Sequence, residues 1–340
     1  MLKNVDLVIL AGGKGTRIKK FLGKYPKPML KINKKPFIQY ILNNSAKYNF
    51  KRIIILCGYR YKFFHEKFHN TKINFTKIIC LRERKLLGTA GALANLKKLK
   101  VKDFVLVNGD TIFDIDINLL FYNLKKNKLG IIALTKNNNQ KSVKLNNLNL
   151  KNNKLSIEKK SKLMNGGVYF FKKKIFKYVE RKNSSLENDL LPKLIRNNKI
   201  NGKIFNNFFI DIGSKFYLKK AQTSIKKKFK KPGVFLDRDG VINHDYGYVH
   251  KMKNFKLKPG VINGLRYLIK KNYYIFLVTN QAGIGKGFFT ENQFINFHKK
   301  INEKLRRFNI YFNDIRYSPF HKKAKIKKYR KNSSTRKPGN

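Results

Sequence analysis

Acidic residues are scarce in this 340-residue chain: 18 Asp and Glu stand against 78 Lys and Arg, a formal net charge of +60. Cysteine is scarcer still, with Cys57 and Cys80 the whole complement. Two cysteines exclude a disulfide framework, and both are expected to be reduced and buried. Apolar runs are short. None approaches the ~18 residues of a membrane-spanning helix. The opening MLKNVDLVILAGG places Asp6 inside its apolar run and has no small-residue cleavage site, so no signal peptide is expected and a cytoplasmic location follows. Internal repeats are absent.

An excess of positive charge on this scale points first to nucleic acid or an anionic membrane. Here the lysines are spread along the whole chain. They accompany abundant Asn, Ile and Phe, which share A/T-rich codons, so genome composition accounts for them. No compact basic block alternates with aromatics as a nucleic-acid site would. The expectation is a solvated lysine surface with no specific nucleic acid and no membrane as partner; a basic nucleic-acid-binding protein is the non-enzyme alternative. Against so few carboxylates, each one in a motif-like setting is informative. Hydrophobic residues at 42% and aromatics at 13% are enough for real cores, and the length suits about two domains.

Strand-like and helix-like stretches alternate. Apolar runs at 5–13, 52–59, 102–111, 130–135 and 166–171 read as strands, and 36–50 as a helix. This βαβ rhythm predicts an α/β fold with a mainly parallel sheet. The Asn/Lys-rich stretch 137–155 reads as a surface excursion. A lysine-rich helix end over 219–233, closing on Pro232-Gly233, marks a boundary, giving a domain 1–224, a linker 225–232 and a domain 233–340. The second domain repeats the α/β pattern, with strands at 234–240, 273–281 and 315–319, helices near 260–271 and 290–307, and a basic tail at 321–337.

Two motif sets carry chemistry. Leu10-Ala11-Gly12-Gly13-Lys14-Gly15-Thr16-Arg17 follows the first strand. Its glycines let backbone amides approach phosphate, and Arg17 offers a planar fork. Pro26-Lys27-Pro28 fixes the backbone around Lys27. Leu87-Gly88-Thr89-Ala90-Gly91 is a small-residue loop on which a flat base could lie. Asp110, in Asn108-Gly109-Asp110, sits at a strand end, where open α/β sheets bind ligands, and Asp211 supplies a second carboxylate. Two carboxylates and a triphosphate suit Mg²⁺. In the second domain, Asp237 and Asp239 follow an apolar strand at i and i+2. That spacing suits a nucleophile and a general acid/base.

In this order, L-A-G-G-x-G-T-R, P-K-P-M, L-G-T-A-G-A, N-G-D, E-K, N-G-G-V-Y and D-I-G make residues 3–222 resemble the sugar-1-phosphate nucleotidyltransferases, a Rossmann-like, GT-A-like fold. The likeness is strongest to the branch holding the heptose 1-phosphate guanylyltransferases. The resemblance implies that Ala11, Gly12, Gly13, Gly15, Thr16 and Gly88 bind nucleotide and that Arg17 and Lys27 act on the phosphates. Asp110 and Asp211 would hold Mg²⁺, and Glu158, Lys159, Gly167 and Glu187 would face the sugar phosphate. For Glu187, capping of a helix after Ser184-Ser185 is the structural alternative. For Glu158 it is an exposed strand pair.

FLDRDGVIN, DYGYV and VTNQAGIGKGFFTE make residues 233–340 similar to haloacid dehalogenase-like phosphatases, a second Rossmann-like fold, and most of all to heptose bisphosphate phosphatases. This implies Asp237 as nucleophile and Asp239 as acid/base, with Mg²⁺ on both. Thr279, Asn280 and Lys337 would hold phosphate, and the 245–249 loop and Lys286 would touch substrate. Without the Cys/His loop of relatives, and with His321 alone, no zinc is expected. The family's last G-D motif does not occur before Asn340, so this domain reads as incomplete. Together the resemblances imply transfer from a nucleoside triphosphate, GTP foremost, to a heptose 1-phosphate, beside a phosphatase acting on the bisphosphate. The alternative is a hexose 1-phosphate transferase with a histidinol-phosphatase-like or inactive second domain. A homo-oligomer is left open.

Overall fold

A computed structural model describes residues 2–136, 146–152, 154–158 and 161–339. The chain divides into two compact units. One comprises residues 1–44, 50–72 and 76–228; the other comprises residues 45–49, 73–75 and 229–340.

In the first unit, β1 (Asp6–Leu10), β2 (Ile53–Cys57), β3 (Thr76–Arg82) and β4 (Phe104–Asn108) lie parallel in the order β3-β2-β1-β4. β1, β2 and β4 are apolar runs buried on both faces, as central parallel strands must be, whereas β3 alternates buried and exposed residues. Val8, Ile54, Leu56 and Leu106 pack with Leu93, Leu96, Leu191 and Leu194 in the core. Asp6, buried at the start of β1, is satisfied by Arg52, whose Nε and Nη2 donate to its two oxygens at 2.8 and 3.0 Å. The turns after β1, β2 and β4 leave from the same edge of the sheet, because the strands run the same way.

Beyond β4 the sheet is not parallel. β5 (Thr111–Phe113) and β6 (Gly130–Lys136) follow in the chain, then β7 (Asn146–Lys151), β8 (Lys154–Ile157) and β9 (Leu163–Phe171). β9 runs antiparallel to both β4 and β6, and to β7. The expected mainly parallel sheet is therefore mixed: an apolar run such as Val168–Phe171 reads the same in either direction. The surface excursion predicted over 137–155 is also corrected. Residues 137–145 lie outside the described residues, but β7 and β8 form a hairpin with Leu148 and Leu155 buried. Leu148 and Leu150 alternate with asparagines, the period-2 pattern of a half-buried strand. β10 (Ile200–Ile204) lies parallel to β6, and β11 (Phe209–Asp211) antiparallel to β5. A helix over Lys215–Phe229 closes the unit. Its buried Tyr217, Ala221 and Ile225, spaced by four, make one helical stripe, so residues 225–229 of the expected linker are helical.

The second unit holds three parallel strands, β12 (Gly233–Leu236), β13 (Tyr274–Asn280) and β14 (Asp314–Ser318), with β13 central. Helices Val261–Lys270 and Glu291–Arg306 accompany them. The second begins with a capping box in which Thr290 and Gln293 satisfy each other's backbone N–H groups. Ile275, Leu277, Phe297, Ile301 and Leu305 form the core. Residues 321–337 are not a bare basic tail: Ala324 and Tyr329 are buried against Ile284 and Phe289. No helix among the described residues is long and apolar enough to cross a membrane.

Candidate active sites

In the first unit, the loops after β1 and β4 and the end of β11 face a single cavity of about 580 Å³. The Gly-rich loop from Ala11 to Arg17 lines it, as do Lys27, Gly88, Asp110, Gly167, Glu187 and Asp211. Lys27 is buried, and its Nζ lies 2.5 Å from Asp110 Oδ2. Burial opposes ionisation of Asp110, but the charge and hydrogen bond of Lys27, helped by Arg17, hold its carboxyl below the usual range. Asp211 goes the other way, to about 6, through burial first and the charge of Asp110 second. Thr111 Oγ1 donates to Asp211 Oδ2 at 2.9 Å and the Gly213 amide to its Oδ1 at 2.6 Å. Two carboxylates are thus held together against their repulsion beside a loop rich in backbone amides. That donor set fits a hard divalent cation such as Mg²⁺, with phosphate and water completing its shell.

A third carboxylate faces the same cavity. Glu83, immediately after β3, is buried, and its Oε1 has no hydrogen-bond partner. Burial pushes its pKa up to about 7. A Cβ added at Gly12 would lie 2.1 Å from Glu83 Oε2, so the glycine keeps this carboxylate in place. Sequence reasoning missed Glu83, although its place at a strand end in an acid-poor chain was a usable signal.

Opposite the loop, the N-G-G-V-Y motif forms an irregularity in the pairing of β9 with β6, between Asn165 and Tyr169. Gly167 takes φ 70° there, and its amide donates to Asn165 Oδ1 at 3.0 Å. This turns Asn165 and Gly167 onto the cavity wall. Glu187 is buried on that wall and accepts from Thr89 Oγ1 at 3.1 Å and Ser185 Oγ at 3.3 Å. The capping partner of the Ser185 amide is Asp189, at 2.6 Å. Glu158 is not brought to the cavity. Asn149 and Ser156 of its own hairpin donate to it at 2.7 and 2.8 Å, and hold its carboxyl below the usual range. Lys159 lies outside the described residues.

In the second unit, Asp237 and Asp239 follow β12. Lys337 Nζ lies 2.6 Å from Asp237 Oδ2 and donates to Val278 O at 3.0 Å. Asn280 holds the Lys337 backbone through two 3.1 Å hydrogen bonds. Thr279 is buried and receives Gln281 Nε2 at 2.9 Å. Asp239 is the most constrained member. Arg238 reaches both its oxygens, Asn243 Nδ2 donates at 3.0 Å and Gln281 Nε2 at 2.9 Å. Arg238 is itself 1% exposed, lodged between the rings of Phe294 and Phe297. Arg238, Asn243 and Gln281 were not expected from the motif. Because Asp239 already accepts from three side chains, Asp237 is the member of the pair more open to a metal. This donor set does not by itself fit the Mg²⁺ expected here. Lys286 Nζ donates to Tyr248 O–H oxygen at 2.6 Å, and His321 accepts from the Lys323 amide at 3.0 Å.

A family model for nucleotidyl transferases matches residues 7–228. The chain belongs to the nucleotidyl transferase family. Its transferase unit is 33% identical, over 217 residues, to D-glycero-alpha-D-manno-heptose 1-phosphate guanylyltransferase of Campylobacter jejuni, covering 62% of this chain and 95% of that one. Among solved structures, HddC from Yersinia pseudotuberculosis is 28% identical with a TM-score of 0.55, over 65% of this chain and all of that one. HddC has also been crystallised with GMP-PN. A different stretch of 105 residues, 31% of this chain, is 44% identical to D-glycero-beta-D-manno-heptose-1,7-bisphosphate 7-phosphatase of Haemophilus influenzae. The chain spans 56% of that phosphatase's length.

Proposed function

We propose that the first unit transfers a guanylyl group from GTP to a heptose 1-phosphate and releases pyrophosphate. The observation that carries transfer is the meeting of Lys27, Asp110 and Asp211 in one cavity with the 11–17 loop. A sugar-phosphate oxygen attacks the α-phosphorus in line, forming one P–O bond as the bond to pyrophosphate breaks. Backbone amides of the loop and Arg17 hold the β- and γ-phosphates, and Lys27 meets the charge on the transferring group. The protein contributes positioning and neutralisation, which dominate phosphoryl-transfer catalysis. When bound by Asp110 and Asp211, Mg²⁺ supplies further neutralisation of the phosphates.

Glu83 supports guanine as the base. Guanine presents adjacent N1–H and N2–H donors, and a carboxylate accepts both; adenine offers no such pair of donors. The unpartnered oxygen of Glu83 is then satisfied by the ligand, as buried acceptors require. Heptose as the sugar rests on the two similarities meeting in one chain. For the second unit we propose heptose bisphosphate as substrate: Asp237 bonds to phosphorus as the bond to the leaving sugar oxygen breaks, Asp239 gives that oxygen a proton and regains one from the water that then cleaves the aspartyl phosphate to free phosphate, and Lys337 and Thr279 hold the phosphoryl oxygens.

Pyrophosphate release by the purified protein, measured over a panel of nucleoside triphosphates and sugar 1-phosphates, tests this reading. GTP with heptose 1-phosphate is expected to be fastest. Faster turnover of mannose or glucose 1-phosphate overturns the sugar assignment. Sub-micromolar DNA binding with a steep salt slope and no turnover overturns the enzyme reading altogether.

A further inference from the structure

A second cavity of about 610 Å³ opens on the other side of Glu83 and Leu86, which line both cavities. The transfer reaction makes no use of it. Its walls come from the turn after β2 and the segment after β3, and they combine two chemistries. Tyr59, Tyr61 and Phe63 supply ring faces, and Arg60, Arg82 and Arg84 supply guanidinium groups.

The arginines are informative because this chain prefers lysine. It holds 14 arginines among 78 basic residues, so three gathered in one cavity are not explained by the general lysine excess. Arginine differs from lysine in presenting a planar fork that matches phosphate oxygens. Among the described residues, none of these three guanidinium groups has a carboxylate partner in an ion pair. Two of them are held in place nonetheless. Arg60 lies over the Tyr59 ring at 5.0 Å and donates to Gly23 O at 2.8 Å. Arg82 lies over the Tyr61 ring at 5.6 Å. Arg60 also adopts φ 55°, a left-handed conformation that costs a non-glycine residue of order 1 kcal/mol or more and concentrates at ligand clamps. Leu86, on the wall between the cavities, is 41% exposed, an apolar surface that a flat ring would cover.

Ring faces, unpaired guanidinium forks and an uncovered leucine in one concavity suit a planar ligand that carries phosphate. We infer that this cavity is a second nucleotide site: the base lies among Tyr59, Tyr61 and Leu86, and the phosphates meet Arg60, Arg82 and Arg84. Because Glu83 and Leu86 belong to both walls, the two ligands are neighbours, and each changes the affinity of the other by the same factor. The inference does not depend on the transferred group or on the sugar.

Binding stoichiometry decides it, with GDP as the probe, by titration calorimetry in the presence of Mg²⁺. The full chain is expected to bind two GDP. The double variant Arg82→Gln, Arg84→Gln, whose altered side chains are exposed, is expected to bind one. Lys27→Met, which removes the cation of the first cavity, should instead lose the other isotherm and keep the one that the arginine variant lacks. Tyr61→Leu should weaken the second isotherm at least threefold. A single GDP on the wild-type chain overturns the inference, as do two GDP on the double arginine variant. If Lys27→Met leaves both isotherms unchanged while the arginine variant loses one, the second site stands and the reading of the first cavity falls. Guanosine filling the second site as well as GDP would overturn phosphate recognition. An oligothymidine binding there more than tenfold tighter than GDP would replace the mononucleotide by single-stranded nucleic acid.

Discussion

The two carboxylate pairs of this chain sit in surroundings of different kinds. Asp110 and Asp211 come from distant parts of the sequence and meet because β5 and β11 pair, with Thr111 opposite Asp211. Their cavity is walled by segments from Leu10 to Gly213. Asp237 and Asp239 are two residues apart, and their partners come from the segments after β12 and β13 and from Lys337. Yet the second pair is the more tightly bonded, with Asp239 receiving Arg238, Asn243 and Gln281. Local geometry at a strand end can therefore be tightly bonded beside an exposed strand. β12 pairs on one side only, and Phe235 on it is 70% exposed. The first site needs the whole unit; the second is assembled from a D-x-D segment and what it touches.

That contrast breaks most sharply at Lys27. Lys27→Met should lower pyrophosphate release by a factor of 10³ or more and leave thermal unfolding of the second unit unchanged. The reciprocal substitution, Arg238→Met, strips Asp239 of its buried partner, a loss of about 3–5 kcal/mol. It should reduce amide protection across 233–280 and leave pyrophosphate release unchanged.

Glu83 sharpens the comparison by titration. Burial raises its carboxyl to about 7, so the ionised form that accepts guanine N–H groups is present above that pH and lost below it. The KM for GTP should rise as pH falls from 8 to 6. In Glu83→Gln it should be about tenfold higher at pH 8 and nearly flat with pH. The effect on folding has the opposite sign. The native state binds this proton more readily than the unfolded chain, so Glu83's contribution to stability falls as pH rises from the ordinary carboxylate range through 7. The smallest effect belongs to Glu158→Gln, which should alter turnover by less than twofold because the side chain serves its own hairpin.

Much of this was legible beforehand where chemistry follows chain order. The Gly-rich loop, Lys27, Asp110 and Asp211 could be named from motifs, and one cavity holds them. Strand direction was not legible, because the apolar end of β9, Val168–Phe171, carries no mark of its orientation. Nor were Glu83 and Arg238. Glu83 offered only its place at a strand end in an acid-poor chain, and its burial beneath Gly12 shows in three dimensions alone. Arg238 looked like a spacer between two aspartates, and only Phe294 and Phe297 reveal it as buried. The lysine-rich helix end was legible, but the linker was set to begin at 225, four residues before the helix stops at Phe229.

The most direct test of nucleotidyl transfer by paired carboxylates is pyrophosphate release from GTP and heptose 1-phosphate by the wild-type chain and by Asp211→Asn. The account predicts steady release by the former and a drop of at least a hundredfold in the latter, with unchanged circular dichroism. Asp211→Asn turning over within tenfold of wild type would contradict it.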